Sequence, residues 1–187
     1  MTTFSRPLYA LLLLLLIGFA GQTSAQSNSG YIVELVIFSN PSAQLGAAEV
    51  PNIDWADGAT QLSTTARGDV QRIDSNRYRL TGDVSKLQAQ NYQVLLHQAW
   101  VQPDDPDLTV AVNDGALLGE VYPAQALVRL GRERLLEAHV TAWVTRQIGD
   151  AGQLVSDRLH QIRRLRLNET HYLDHQNMGV LINISRN

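Results

Sequence analysis

Cysteine occurs nowhere among the 187 residues of this chain, and that removes several classes of protein at once. There can be no disulfide framework, no thiol redox centre and no cysteine-ligated zinc. No lipid-bearing cysteine can follow a leader either, so a bacterial lipoprotein is excluded. Lysine is almost as scarce: Lys86 is the single example, and the other cations are arginines. Arginine favours fixed, bidentate pairing with carboxylates and phosphates, where lysine acts as a mobile point charge. The compositional bias of a genome would produce the same excess. Catalytic signatures are thin as well. The sequence holds no Gly-x-Ser-x-Gly elbow, no glycine-rich phosphate loop and no His-Glu-x-x-His pair.

One long apolar run is present, residues 8–19, preceded by Arg6 and followed by Thr23, Ser24 and Ala25. A basic start, a short apolar stretch and small residues ahead of a cleavage point make a secretory leader. The run is too short and wrongly flanked for a transmembrane helix. The expectation is an exported, periplasmic protein cleaved after about Ala25, with residues 26–187 forming one domain and no stable membrane insertion. Charge is divided along that domain. Residues 26–125 carry twelve Asp and Glu against five cations, whereas residues 126–187 carry six against nine arginines. A formal net charge of −3, together with export, argues against nucleic acid as a partner.

The segment Tyr-Ile-Val-Glu-Leu-Val-Ile-Phe at 31–38 is apolar on both faces apart from Glu34, which predicts a central strand ended by Asn40-Pro41. Residues 42–79 show no strong period and are expected to be irregular, either mobile or functional. Asp83 is a candidate N-cap for a short helix to about Asn91, with Val84 and Leu87 inward. A strand follows at 92–101, with Tyr92, Val94, Leu96 and Trp100 on one side and Pro103 closing it. Pro103-Asp-Asp-Pro106-Asp107 reads as an exposed acidic turn. The clearest period of two runs through 135–145. It sets Leu136, Ala138, Val140, Ala142 and Val144 against Glu137, His139, Thr141, Trp143 and Thr145. Beyond the turn at Gly149-Asp-Ala-Gly152, residues 159–167 suit a strand or a helix equally, because Leu159, Ile162 and Leu165 recur every third residue. Met178, Val180, Ile182 and Ile184 make the core face of a last strand. One or two short helices among five or six strands predict an α+β fold, a single domain with a mainly antiparallel β-sheet.

The densest polar stretch is 163–175, which brings together Arg163, Arg164, Arg166, Glu169, His171, Tyr172, Asp174 and His175. Such a set serves either as a polar lock at the end of a sheet or as a surface for a ligand bearing carboxylates and hydroxyls. His171-x-x-Asp174-His175 is the one metal-like spacing, with His160 or His139 as a third ligand. Without cysteines or a His-Glu-x-x-His pattern, the expectation is that these groups satisfy one another and that no metal or cofactor is held. Asp104, Asp105 and Asp107 share a solvated turn where nothing would raise a carboxyl pKa, so no catalytic residue is assigned. Trp143, beside His139 and Thr141, and Trp100, beside Gln98 and Gln102, are candidate platforms for sugar rings. For each the competing role is core packing.

Three blocks then line up in order. They are the strand at 31–38, Tyr92-Gln-Val-Leu-Leu-His97-Gln-Ala-Trp100-Val-Gln102-Pro103, and Arg163-Arg164-x-Arg166…Glu169-x-His171-Tyr172-Leu-Asp174-His175…Gly179-Val-Leu. Together they resemble the CsiV family, exported peptidoglycan-binding proteins of gammaproteobacteria. Residues 42–79 carry no matching block. Gln176 stands where proline is expected, and Leu135-Leu136-Glu137 stands where the family tends to show Tyr-Leu-His. The resemblance implies a periplasmic, non-enzymatic protein that binds peptidoglycan. It also implies a role in supporting a class A penicillin-binding synthase through its outer-membrane lipoprotein activator. Two other readings stay open: an adaptor that binds those proteins but no wall polymer, and a metal-dependent hydrolase built on His171, Asp174 and His175.

Overall fold

The computed structural model describes residues 30–39, 49–132 and 135–187. The leader expected at 1–25, the Asn40-Pro41 breaker and the first residues of the 42–79 stretch lie outside them. Ten strands are found among the described residues: β1 (Gly30–Ser39), β2 (Thr60–Gln61), β3 (Gln71–Arg72), β4 (Gln93–Pro103), β5 (Thr109–Asp114), β6 (Ala124–Arg132), β7 (Leu136–Ile148), β8 (Gln153–Arg164), β9 (Thr170–Asp174) and β10 (Met178–Arg186). A helix, α1 (Thr81–Ala89), and a 3₁₀ turn at Ser75–Arg77 accompany them. The strands form two five-stranded sheets, β3-β4-β1-β10-β9 and β2-β5-β6-β7-β8. Pairing is antiparallel throughout apart from the short parallel contact of β2 with β5. The fold is therefore α+β and mainly antiparallel, as expected, with more strands than the sequence suggested.

Alternation explains how the two sheets meet. Tyr31, Val33, Leu35 and Ile37 of β1 pack in one core with Val180, Ile182 and Ile184 of β10, and with Ala138, Val140, Ala142 and Val144 of β7. Successive strand residues point to opposite faces, so β1 also has an outer face. There Val36 and Phe38 are covered by Leu80, Val84 and Leu87 of the α1 region. This double burial is why β1 reads as apolar on both sides. On the outer face of the second sheet, Trp55 from the 49–59 stretch covers Trp143 and Ala111. The described part of the expected irregular stretch is thus a covering layer that also sends Leu62 and Val70 into the shared core.

Two expectations change, and one open reading resolves. Asp83 does not cap the helix: it lies in the first turn and pairs with Lys86 at 3.1 Å. The amides of Arg79 and Leu80, at the helix start, donate instead to the carboxylate of Glu34 at 2.7 and 2.9 Å. On β4, a register shift opposite Ile37 and Phe38 sends Val94 to the helix side while Leu96 and Trp100 enter the inter-sheet core. A bulge of this kind flips the parity of every residue beyond it. Finally, residues 159–164 belong to strand β8. Leu159 faces the core, Ile162 faces outward, and the spacing of three between them is not a helical stripe.

Both described ends meet, since the Asn187 N–H donates to the Gly30 carbonyl at 3.2 Å. Among the described residues no helix is long and apolar enough to cross a membrane.

Candidate functional site

The polar block at 163–175 is where the chain crosses from β8, the edge of one sheet, to β9, the edge of the other. The crossing is held by backbone geometry. Asn168 adopts φ 62°, a left-handed conformation that asparagine tolerates better than most residues. Its N–H donates to the Ile184 carbonyl at 2.8 Å, and its side-chain oxygen accepts from Arg79 at 2.6 Å. The Arg166 N–H lies 3.0 Å from Nε2 of His171, and the Arg166 carbonyl lies 3.4 Å from the same nitrogen. His171 is therefore partly structural.

An open groove of about 1020 Å³ lies along this crossing. Arg163, Arg164, Arg166, Glu137, Glu169 and His171 supply its polar wall, with Leu135, Ile162 and Leu165 as its apolar part. Register explains the grouping, because Glu137 pairs with Arg164 and Ala138 with Arg163 across β7 and β8. Arg164 Nε lies 3.1 Å from Glu137 Oε1, and Arg166 lies 3.7 Å from Glu169 in a loose, exposed pair. The Arg163 guanidinium makes no hydrogen bond or ion pair among the described residues, although it lines the groove. Among the described residues three guanidiniums thus face two carboxylates, and one positive charge is left unmatched. Exposed pairs contribute little to stability, so these side chains are available to a ligand.

The remaining candidates go elsewhere. Tyr172 and Asp174 sit on the opposite face of β9, where the phenol donates to Asp174 Oδ1 at 2.7 Å and the ring stacks on Phe38. Partial burial, then the hydrogen bond and charge of Asp174, push the Tyr172 pKa up to about 12. His175 Nδ1 accepts the Asn177 N–H at 3.3 Å in the next turn. Among the described residues no three His, Asp or Glu side chains converge as a metal site would require. Trp100 is 0 % exposed, and its indole N–H donates to Gln102 at 2.8 Å inside the core. It has no surface to offer a sugar ring. Trp143 is 7 % exposed, edge-on beneath Trp55. Both indoles took the core-packing alternative. Glu137, Leu135, Ile162 and Leu165 were not singled out as site residues from the sequence. Their grouping depends on the β7–β8 register, which residue order alone does not print.

The sequence model of the CsiV family, described as peptidoglycan-binding protein, matches residues 8–187. The chain belongs to the CsiV family. No curated protein and no solved structure matches it. The CsiV match spans nearly the whole chain, so it takes in both sheets, the crossing and the groove. A CsiV protein is described by what it binds and not by a reaction, which directs attention to the groove as a binding feature.

Proposed function

We propose that this protein binds peptidoglycan in the periplasm through the groove at the β8–β9 crossing. In this reading it supports synthesis by a class A penicillin-binding synthase through that enzyme's outer-membrane lipoprotein activator. The role is non-enzymatic, and the leader is removed after about Ala25. The observation that carries the reading is the groove itself. In a chain of a peptidoglycan-binding family, it gathers Arg163, Arg164, Arg166, Glu169 and His171 from two sheet edges into one open wall. Arginine suits this task because its planar fork stays charged and binds acceptors in fixed geometry. The synthase and its activator follow from the resemblance of the three sequence blocks and not from any contact in the fold.

Co-sedimentation of the mature protein with isolated sacculi tests the glycan reading. Wild type should pellet, and Arg164→Ala with Arg166→Ala should pellet about tenfold less at unchanged melting temperature. Wild type left wholly in the supernatant would refute it.

A second reading, an adaptor without wall binding, is favoured by one feature. Leu135 and Ile162 are 58 % and 57 % exposed beside the groove, and apolar side chains at a polar rim suit a protein partner. Capture of the purified lipoprotein activator by wild type, lost in Ile162→Asp, together with wild type left wholly in the supernatant of sacculi, would select it.

A further inference from the structure

Peptidoglycan offers two different chemistries. Its glycan strands are uncharged N-acetyl hexosamines, presenting acetamido groups, hydroxyls and flat C–H faces. Its stem peptides are short and rich in alanine, and carry free carboxylates. Building on the groove reading above, we infer that the groove takes the carboxylate-bearing stem peptide and not the sugar chain.

Three observations carry this. First, among the described residues no aromatic ring lines the groove. Of the indoles, Trp100 is sealed in the core and Trp143 lies under Trp55, while Tyr172 stacks on Phe38 across the sheet. A site selecting pyranose faces would present at least one such ring. Second, the cations are in excess and poorly committed. The Arg163 guanidinium has no partner among the described residues, and Arg166 meets Glu169 only at 3.7 Å with both side chains more than half exposed. Unmatched guanidiniums beside a groove fit a ligand that supplies carboxylates, because charge-assisted, two-pronged pairing is the strongest contact they make. Third, Leu135, Ile162 and Leu165 give the same groove an aliphatic strip. Such a strip matches the methyl groups of alanine better than the hydroxyl-rich edge of a sugar.

The geometry also assigns roles. Arg163 is the residue poised for the ligand carboxylate, since it gives up no internal partner to bind. Arg166 can leave Glu169 at little cost, because so exposed a pair contributes at most about 1 kcal/mol. Arg164 is held by Glu137 at 3.1 Å and acts as a fixed wall.

The test uses the mature protein, intact sacculi and two soluble competitors: the free stem peptide and an uncharged oligomer of N-acetylglucosamine. Strong pelleting with intact sacculi is expected, at least tenfold weaker in excess free peptide and unchanged in the same excess of the sugar oligomer. Arg163→Ala should reduce pelleting with intact sacculi by about tenfold. Its melting temperature should be unchanged, because no internal contact is lost. Pelleting lowered by the sugar oligomer and not by the free peptide would overturn the stem-peptide inference while leaving the groove as a wall site. Peptide-dependent pelleting that Arg163→Ala does not weaken would overturn the assignment of Arg163. Failure to pellet with intact sacculi would overturn the parent reading instead.

Discussion

Glu34 shows how one buried side chain can organise a region. It is 2 % exposed on the helix side of β1 and accepts hydrogen bonds from the amides of Arg79 and Leu80. Its Oε1 also lies 2.8 Å from His97 Nε2, and His97 in turn packs against Tyr78. Replacing it by alanine leaves two amides and an imidazole facing an apolar pocket. Glu34→Ala should therefore cost roughly 3 kcal/mol in urea unfolding, with α1 the first element to lose protection in hydrogen exchange. Tyr172 supplies a pH-dependent counterpart. Its pKa is raised from 10.0 to about 12, so the native phenol keeps its proton while the unfolded one ionises. The native state then binds more protons than the unfolded state, and stability falls as pH climbs from 10 toward 12. Absorbance titration should show one late tyrosinate step that Tyr172→Phe removes. His139 behaves in the opposite sense. Burial first, and then the neighbouring Arg129, lower its pKa from 6.5. It favours the neutral ring, and its share of stability is lost as pH drops below 6.5. Its ring proton resonances should titrate with a midpoint below the ordinary value.

Among the elements, β7 was legible from residue order because five apolar residues alternate with five mixed ones, and each lies on the predicted side. β1 was legible for the same reason, being apolar on both faces between two neighbours. β4 was not fully so: its bulge is set by pairing with β1, and nothing in Val94-Leu95-Leu96 announces it. β5 and β6 were not assigned from residue order: in Ala124–Arg132 the outer face carries Leu127 between Gln125 and Arg129, which blurs the alternation. The candidate site was half legible. Composition identified Arg163, Arg164, Arg166, Glu169 and His171, but the strand direction at β9 decides that Tyr172 and Asp174 face away from them. The β9–β10 pair also depends on Gly179, above which Phe38 and Tyr172 stack. A methyl group there would meet Phe38 and come within 2.7 Å of Tyr172. Gly179→Ala should lower stability by about 2 kcal/mol, read as a shifted urea midpoint with an unchanged slope.

At the level of the whole molecule, Arg163, Arg164 and Arg166 all stand exposed at the crossing. Attraction to an acidic polymer through exposed arginines is screened by salt over a Debye length of about 10 Å at 0.1 M. Sacculus pelleting should therefore weaken steeply between about 0.05 and 0.5 M sodium chloride. Insensitivity to salt would point to apolar contacts at Leu135 and Ile162. All three tryptophans are at most 7 % exposed. Acrylamide should quench native fluorescence far less than unfolded fluorescence, and wall fragments should shift the emission little.

The hydrogen bond between Asn187 and Gly30 has a practical corollary. A short linker could close the chain into a ring, and the ring could be reopened at the Gly149–Gly152 hairpin, at the opposite end of β7 and β8 from Glu137 and Arg164. Such a rearranged polypeptide would keep every strand pairing described above. Its new ends could carry a fluorophore or an immobilising handle well clear of the arginine wall.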